Sequence, residues 1–476
     1  MNTGTRGSFI AGATRKRARS WLVVAQTVAL AGIVAGSLAV PGEASADSGA
    51  LTQLPGVEGC ISDDGSSACS DARVLNSPLA MHVGPDGRQV YVGLPSDRGL
   101  AVLARDRATG ALEQLPGRDG CITEFGNGGE CTAGRGIRTV FDMAFSPDGR
   151  FAYAASQFSD AVAAFARNKQ TGALKQLPGF DGCVSETGSE GCANGRGLLT
   201  TQSVAVSPDG KNLYAASGGS GAIAVFDRDK TTGALTQLPG LQGCISEDGT
   251  GGECTDGRGL KYAASVTVSP DGKHVYVASV SHAVAIFARD RATGALTQLP
   301  GAAGCLRDAR IADLECAPVR EVGYAASLLV SEDGRYAYVG GTGNAIAVFS
   351  RDRASGELTQ LPGTLGCVTS TGNGDCTYAS MLFTVIGTAL SPNGRQLYVT
   401  GAAANAITIL ERDPATGVLS QLPGLQGCVG LWGNDGLCRE GRGIKYPMRV
   451  DVSPDGRHVY AGSMQSKAVA VFQRER

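Results

Sequence analysis

The sequence predicts an all-β fold, a seven-bladed β-propeller with four strands per blade, and three observations predict it. First, a Ser-Pro-Asp-Gly turn recurs seven times: Gly84-Pro85-Asp86-Gly87, then at Ser146, Ser207, Ser269, Ser331 (with Glu332), Ser391 (with Asn393) and Ser453, always 60 to 62 residues apart. Self-similarity at a long fixed period marks an array or a ring of equal units. Second, each unit has the same grammar of short alternating β-branched and small residues between Pro-Asp-Gly and Thr-Gly turns, with no sustained helical periodicity. Third, the two ends are complementary fragments. Ala50-Leu51-Thr52-Gln53-Leu54-Pro55 is the fourth strand of a unit, whereas the C-terminus stops after Val469-Ala470-Val471-Phe472, a third strand. A last blade completed by the first strand of the chain would close the ring and remove two exposed edges.

In the fourth copy the strands are expected at Ala264 to Val268 (innermost), His274 to Ala278, Ala283 to Arg289 and Ala295 to Leu299. The segment from Gly240 to Lys261 then joins one blade to the next as a long Gly-rich loop. All seven such loops are expected to project from one face of the disc.

Residues 1–46 lie outside the repeat. Arg15-Lys16-Arg17 and Arg19 precede an apolar run from Trp21 to Val40, and Ala44-Ser45-Ala46 supplies small residues for cleavage. This is the pattern of a secretory signal peptide on the general route, with an uncleaved membrane anchor as the alternative. Residues 47–476 then form the propeller, seven repeats of about 61 residues. The whole chain has a formal net charge of −2; without the five basic residues and one acidic residue of the leader, 37 basic and 43 acidic residues remain, a net charge of −6. The two signs are interspersed, so nothing suggests nucleic acid or, after cleavage, a membrane as partner.

Fourteen cysteines fall one pair to a repeat: Cys60 with Cys69, Cys121 with Cys131, Cys183 with Cys192, Cys244 with Cys254, Cys305 with Cys316, Cys367 with Cys376, and Cys428 with Cys438. Regular pairing behind an export signal predicts seven disulfides and a secreted protein, extracellular or in the cell envelope. Zinc would need four ligands per site, but the pairs lie a full repeat apart and the chain has only four histidines. No metal and no cofactor is expected.

Four residues after the second cysteine stands an arginine (Arg73, Arg135, Arg196, Arg258, Arg320 and Arg442), with Ser380 in the sixth repeat. Three after the first cysteine stands an acid (Asp63, Glu124, Glu186, Glu247 and Asp308), with Ser370 in the sixth. Joint loss in one repeat predicts salt bridges within each loop, with an anion-binding rim of arginines as the second reading. The seventh repeat has Leu431 in place of the acid, which leaves Arg442 as a candidate binding residue.

Residues that break the repeat are the better candidates for function. Four before the turn serine the innermost strands carry Ala80, Asp142, Ser203, Ser265, Ser327, Gly387 and Arg449; two before it they carry His82, Ala144, Ala205, Thr267, Leu329, Ala389 and Asp451. His82, Asp142, Arg449 and Asp451 thus bring charge to the axis on blades seven, one and two, neighbours in a closed ring. They are the candidate catalytic cluster; a buried network fastening the closing blade is the other reading. His274 and His458 open second strands where other copies have Asn, Gln, Phe or Tyr and are expected to be solvated. His282, in a short loop on the disulfide side, is a second candidate for binding.

With S-P-D-G-K-H-V-Y-V-A-S, A-V-A-V-F and T-G-A-L-T-Q-L-P-G in hand, the chain resembles the lactonase-like seven-bladed propellers. These include 6-phosphogluconolactonase-type proteins and carboxymuconate cyclases. Tyr398-Val399-Thr400 and the Val-Tyr-Val-Ala runs resemble the neighbouring YVTN-repeat propellers. The resemblance implies a propeller and, for its enzymes, a histidine with acidic and arginine partners on the channel face. From the sequence, the first functional reading is a secreted scaffold, expected to be a monomer, that holds a small molecule or an envelope partner through its disulfide-pinned face. The alternative is a lactone hydrolase or carboxymuconate-type cyclase working at the channel mouth.

Overall fold

The computed structural model describes residues 47–65, 68–311, 315–372 and 374–476. The signal-peptide reading falls on residues 1–46 and lies outside them. Seven sheets are arranged as the repeats predict, and each has six strands rather than four. In the fourth copy the innermost strand is Ala263–Val268, followed by His274–Ser279 and Ala283–Arg289, all antiparallel. The fourth position is shared. Leu296–Gln298 pairs with the end of the third strand and Cys305–Asp308 with its start, while Ala317–Val319 adds a parallel edge. The Pro-Gly-x-x-Gly segment between the two halves is a single 3-10 turn, Gly301–Gly304.

The inter-blade segment is therefore not a free loop projecting from the disc. The first cysteine of each pair opens a strand on the blade's outer edge. The second cysteine lies outside the strands, immediately before the short parallel edge strand, so the disulfide ties that edge to the blade. All seven pairs are bonded within their own repeat, as the spacing predicts. Cys60 bonds Cys69, Cys121 bonds Cys131, Cys183 bonds Cys192 and Cys244 bonds Cys254. Cys305 bonds Cys316, Cys367 bonds Cys376 and Cys428 bonds Cys438, and the seven sequence separations are 9 to 11. Closing so short a loop removes about 2.5–3 kcal/mol of unfolded-state entropy on the chain model.

Closure by the N-terminus is as expected. Leu51–Gln53 pairs with the last strand (Leu51↔Arg474, Gln53↔Phe472), and Cys60–Ser62 continues that edge. Asp47 also completes a second pattern. Six of the repeats carry the turn aspartate, and the sixth has Asn393. There Asp47 supplies the carboxylate instead, 2.7 Å from Arg474, and accepts from Asn393 Nδ2 at 2.6 Å.

Blades are joined face to face by apolar clusters such as Tyr91, Leu100, Val102, Val140, Met143, Ala154 and Phe165. Within these faces lies a repeated polar latch that the sequence reading did not identify. The arginine ending each third strand (Arg105, Arg167, Arg228, Arg289, Arg351, Arg412 and Arg474) is buried. Its Nε donates to the hydroxyl of the preceding blade's buried tyrosine at 2.6–2.8 Å. That hydroxyl in turn donates to a glycine carbonyl, as Tyr214 does to Gly294 of a Thr-Gly turn at 2.8 Å. Burial pushes the Tyr91 phenol up to about 12, so the tyrosine stays a protonated donor.

His274 and His458 belong to this latch and are not solvated. Each is 3% exposed and accepts at Nδ1 from Arg351 or Arg105 at 2.7 Å. Burial, then the adjacent Arg105, lowers His458 to about 4, so it is neutral when it accepts. The equivalent positions supply another acceptor, as Gln89 and Asn212 do at 2.6 Å, or an aromatic face, as Phe151 does at 5.1 Å from Arg228.

Tyr214→Phe removes one hydroxyl but leaves Arg289 Nε and the Gly294 carbonyl buried without it. A loss of about 1–3 kcal/mol is expected in denaturant unfolding, whereas Tyr262→Phe, at a residue 54% exposed, is expected to change little. Deleting residues 47–56 removes the Leu51–Gln53 pairing, the Tyr398 bond to Gly49 at 2.8 Å and the Asp47 ion pair. At about 1 kcal/mol per net hydrogen bond, the deletion is expected to cost at least about 3 kcal/mol; an unchanged melting temperature would refute the shared blade.

Candidate functional site

The innermost strands run along the axis, so alternate side chains turn into a central cavity of about 160 Å³. Small residues keep it open: Ser203, Ser265, Ser327 and Gly387 line it, with His82, Asp142, Arg449 and Asp451 from blades one, two and seven. The four charged candidates therefore come together, as their rows in the repeat suggested.

His82 Nε2 lies 2.8 Å from Asp142 Oδ1. The other carboxylate oxygen of Asp142 accepts from Ser203 Oγ at 2.7 Å and from the Val204 amide at 3.2 Å. Asp451 accepts from the Val83 amide of the next blade and from its own neighbour Val452, both at 2.8 Å. Ser203 repeats the motif one blade on, accepting from the Val266 amide at 3.2 Å. A side chain on one innermost strand thus reaches the backbone of the next.

The electrostatics follow from burial and pairing. Burial alone would lower the His82 pKa. The hydrogen bond and negative charge of Asp142, with Asp451 nearby, outweigh burial and raise it above the ordinary 6.5. Burial acts against the charge on Asp142, yet His82, Arg449 and Ser203 hold it below the usual carboxylate range. Asp451 goes the other way, because burial dominates the pull of His82 and two amides. Burial also lowers Arg449, only partly offset by Asp142. Its guanidinium has two weak contacts, to the carbonyls of Met448 at 3.3 Å and Ile386 at 3.5 Å. The Ser327 hydroxyl is buried in the same wall with no hydrogen-bond partner among the described residues. No group of three or more His, Cys, Asp or Glu among the described residues is arranged to hold a metal ion.

The loop arginines do not form the expected salt bridges within their loops. They cross to the next blade's 3-10 turn, where Arg135 Nη2 donates to Gly179 at 2.6 Å and Arg196 Nη2 to Gly240 at 2.8 Å. Arg442 is placed in the same way, against the Gly56 carbonyl. The loop acids mostly receive backbone amides instead, as Glu186 does from Leu198 at 2.5 Å and Glu247 from Leu260 at 2.6 Å. The tight disulfide loop aims the arginine across the junction, away from the acid near it in sequence. His282 is remote from the charged cluster in the fold, in the turn between the second and third strands of blade four.

No family model matches the chain. It is 29% identical over 159 residues to a 6-phosphogluconolactonase of Formosa agariphila, covering 33% of this chain and 38% of that protein. The match thus spans well under half of the relative's length. Among solved structures, a protein of Bacteroides uniformis named as a candidate 6-phosphogluconolactonase aligns with a TM-score of 0.50 at 20% identity, over 75% of this chain and 85% of its own. Kuenenia stuttgartiensis hydrazine synthase aligns with a TM-score of 0.51 at 19% identity, over 86% and 98%. At these identities the structures speak to the fold alone. In fold, and over a third of its length in sequence, the chain is similar to the 6-phosphogluconolactonase-like seven-bladed β-propellers.

Proposed function

We propose that this protein is a lactonase-type hydrolase that opens a small hydroxylated lactone in the axial cavity. The observation that carries the reading is the His82–Asp142 pair at 2.8 Å beside Arg449. Fastening one blade to the next does not require that charge: Ser203 bonds the following blade's amide with a neutral hydroxyl where Asp142 uses a carboxylate. A buried carboxylate costs more than a hydroxyl unless it is paired. The partial likeness to a 6-phosphogluconolactonase favours this chemistry over a scaffold that only binds. Seven disulfides further support a secreted protein.

With Nε2–H donating to Asp142, His82 keeps its lone pair on Nδ1. As general base it takes a proton from water while the water oxygen attacks the lactone carbonyl carbon. Arg449 faces the negative charge that develops on the carbonyl oxygen. The ring C–O bond then breaks, the proton passes from His82 to the departing alkoxide, and a hydroxy acid is released. A cavity of about 160 Å³ restricts the substrate to a single small ring.

Wild type and His82→Ala should be assayed on a panel of aldonolactones and muconolactones. The substitution is expected to lower turnover at least about a hundredfold with folding intact. No turnover by wild type on any of them would return the protein to the scaffold reading. Equal turnover by both forms would place the chemistry elsewhere.

The pH profile is a second test. The base must be unprotonated and its pKa is raised, so the acid limb of kcat/KM is expected above pH 6.5. Asp142→Asn removes the main cause of the rise, leaving burial to dominate, and the limb should move below 6.5. A limb that stays in place would exclude His82 as the titrating base.

A further inference from the structure

The residue just before the third strand has a positive φ in every blade: Arg98, Asp160, Gly221, His282, Asn344, Asn405 and Lys467, between 48° and 66°. In three blades its side chain ties the disulfide-side face together. Asp160, Asn344 and Asn405 accept from the amides of Thr200, Thr384 and Tyr446 on the following blade, at 2.6, 2.8 and 2.8 Å. The serine before this position has a matching task, with Ser159, Ser220 and Ser466 accepting from the amides of Arg138, Leu199 and Lys445 at 2.8–3.1 Å.

Blade four departs from both habits. His282 Nδ1 and Ser281 Oγ are buried with no hydrogen-bond partner among the described residues. The imidazole instead packs on Tyr324 of blade five, ring centroids 4.3 Å apart. The amide that Ser281 would receive, that of Lys261, goes to Glu247 at 3.2 Å. At the junction before it Gly221 has no side chain with which to tie the face. Where the ties are missing, a groove of about 560 Å³ opens, lined by Lys261, Tyr262, Ser281, His282, Arg307 and Tyr324. Both tyrosines are about half exposed, 54% and 52%.

We infer that this groove is a second ligand site, separate from the axial cavity, for a sugar acid: a hydroxylated ring that carries a carboxylate. Buried polar groups without partners are rare in folded proteins, and here two stand side by side in one wall. They match ring hydroxyls, which both donate and accept. Lys261 brings positive charge to the same groove for a carboxylate. The tyrosine rings offer flat apolar faces to the C–H side of the ring. A neutral sugar makes no use of the positive charge, and a plain aromatic acid leaves Ser281 and His282 without partners. This inference does not depend on the lactonase reading.

Glucuronate is the probe, with glucose and benzoate as controls, titrated into the full secreted protein and followed by imidazole NMR. Only four histidines must be assigned. Glucuronate is expected to shift the His282 signals, leave those of His274 and His458 in place, and bind at least tenfold more tightly than either control. His282→Asn installs the residue that blades five and six use, so the face should tie as it does there. This variant is expected to melt no lower than wild type and to bind glucuronate at least tenfold more weakly. His82→Ala is expected to bind it as wild type does, whatever happens to lactone turnover. Absence of glucuronate binding, equal binding by His282→Asn, or equal binding of glucose or benzoate would each overturn the proposal.

Discussion

Seven buried guanidinium groups are the constraint on which the rest of the ring depends. A buried arginine must have nearly all its donors satisfied, because an uncompensated charge in the interior is strongly destabilising. Each blade interface is built around that demand. The preceding blade supplies the tyrosine hydroxyl, and the arginine's own turn supplies a carbonyl such as Gly210 for Arg228 at 2.8 Å. At six of the seven interfaces a carboxylate supplies the counter-charge, as Asp86 does for Arg167 at 2.7 Å, while Arg228 lies over the Phe151 ring instead. The turn aspartate thus both shapes its turn and neutralises a neighbour. In the sixth blade Asn393 can do only the first, and the N-terminal segment brings Asp47 to do the second. Closure by the N-terminal strand is therefore electrostatic as well as a matter of strand pairing.

The features legible in the sequence were those written along one dimension. A fixed period, the alternation within strands, paired cysteines and complementary ends each survive without knowing what touches what. The inter-blade latch did not emerge because Arg289 and Tyr214 are 75 residues apart, and a residue present in every copy gives no sign of its direction. The histidines show the converse error. His274 and His458 occupy a position that also takes Gln, Asn, Phe and Tyr, a mixture that suggests solvent. Its members share the ability to offer a lone pair or a ring face to a cation. The loop arginines misled through proximity, since the nearest acid in the sequence was needed to receive the amides of the returning chain.

At the axis the repeat was informative for the opposite reason: departures from it collected in one place. Had the four charges served only to seal the ring, they would be concentrated on blade seven, where the first and last strands of the chain pair, and at its face with blade one. Asp451, bonded to the Val83 amide, fits that role. His82 and Asp142 do not, because they join blades one and two, which the chain already connects. Arg449 looks away from that face, toward the Ile386 carbonyl of blade six. Burial opposes its charge as well as that of Asp451, and its contacts at 3.3 and 3.5 Å offset little of that cost. A group so placed gains most from an anionic oxygen arriving in the cavity. The asymmetry that strand pairing and closure leave unexplained is the asymmetry that a bound, reacting ligand would use.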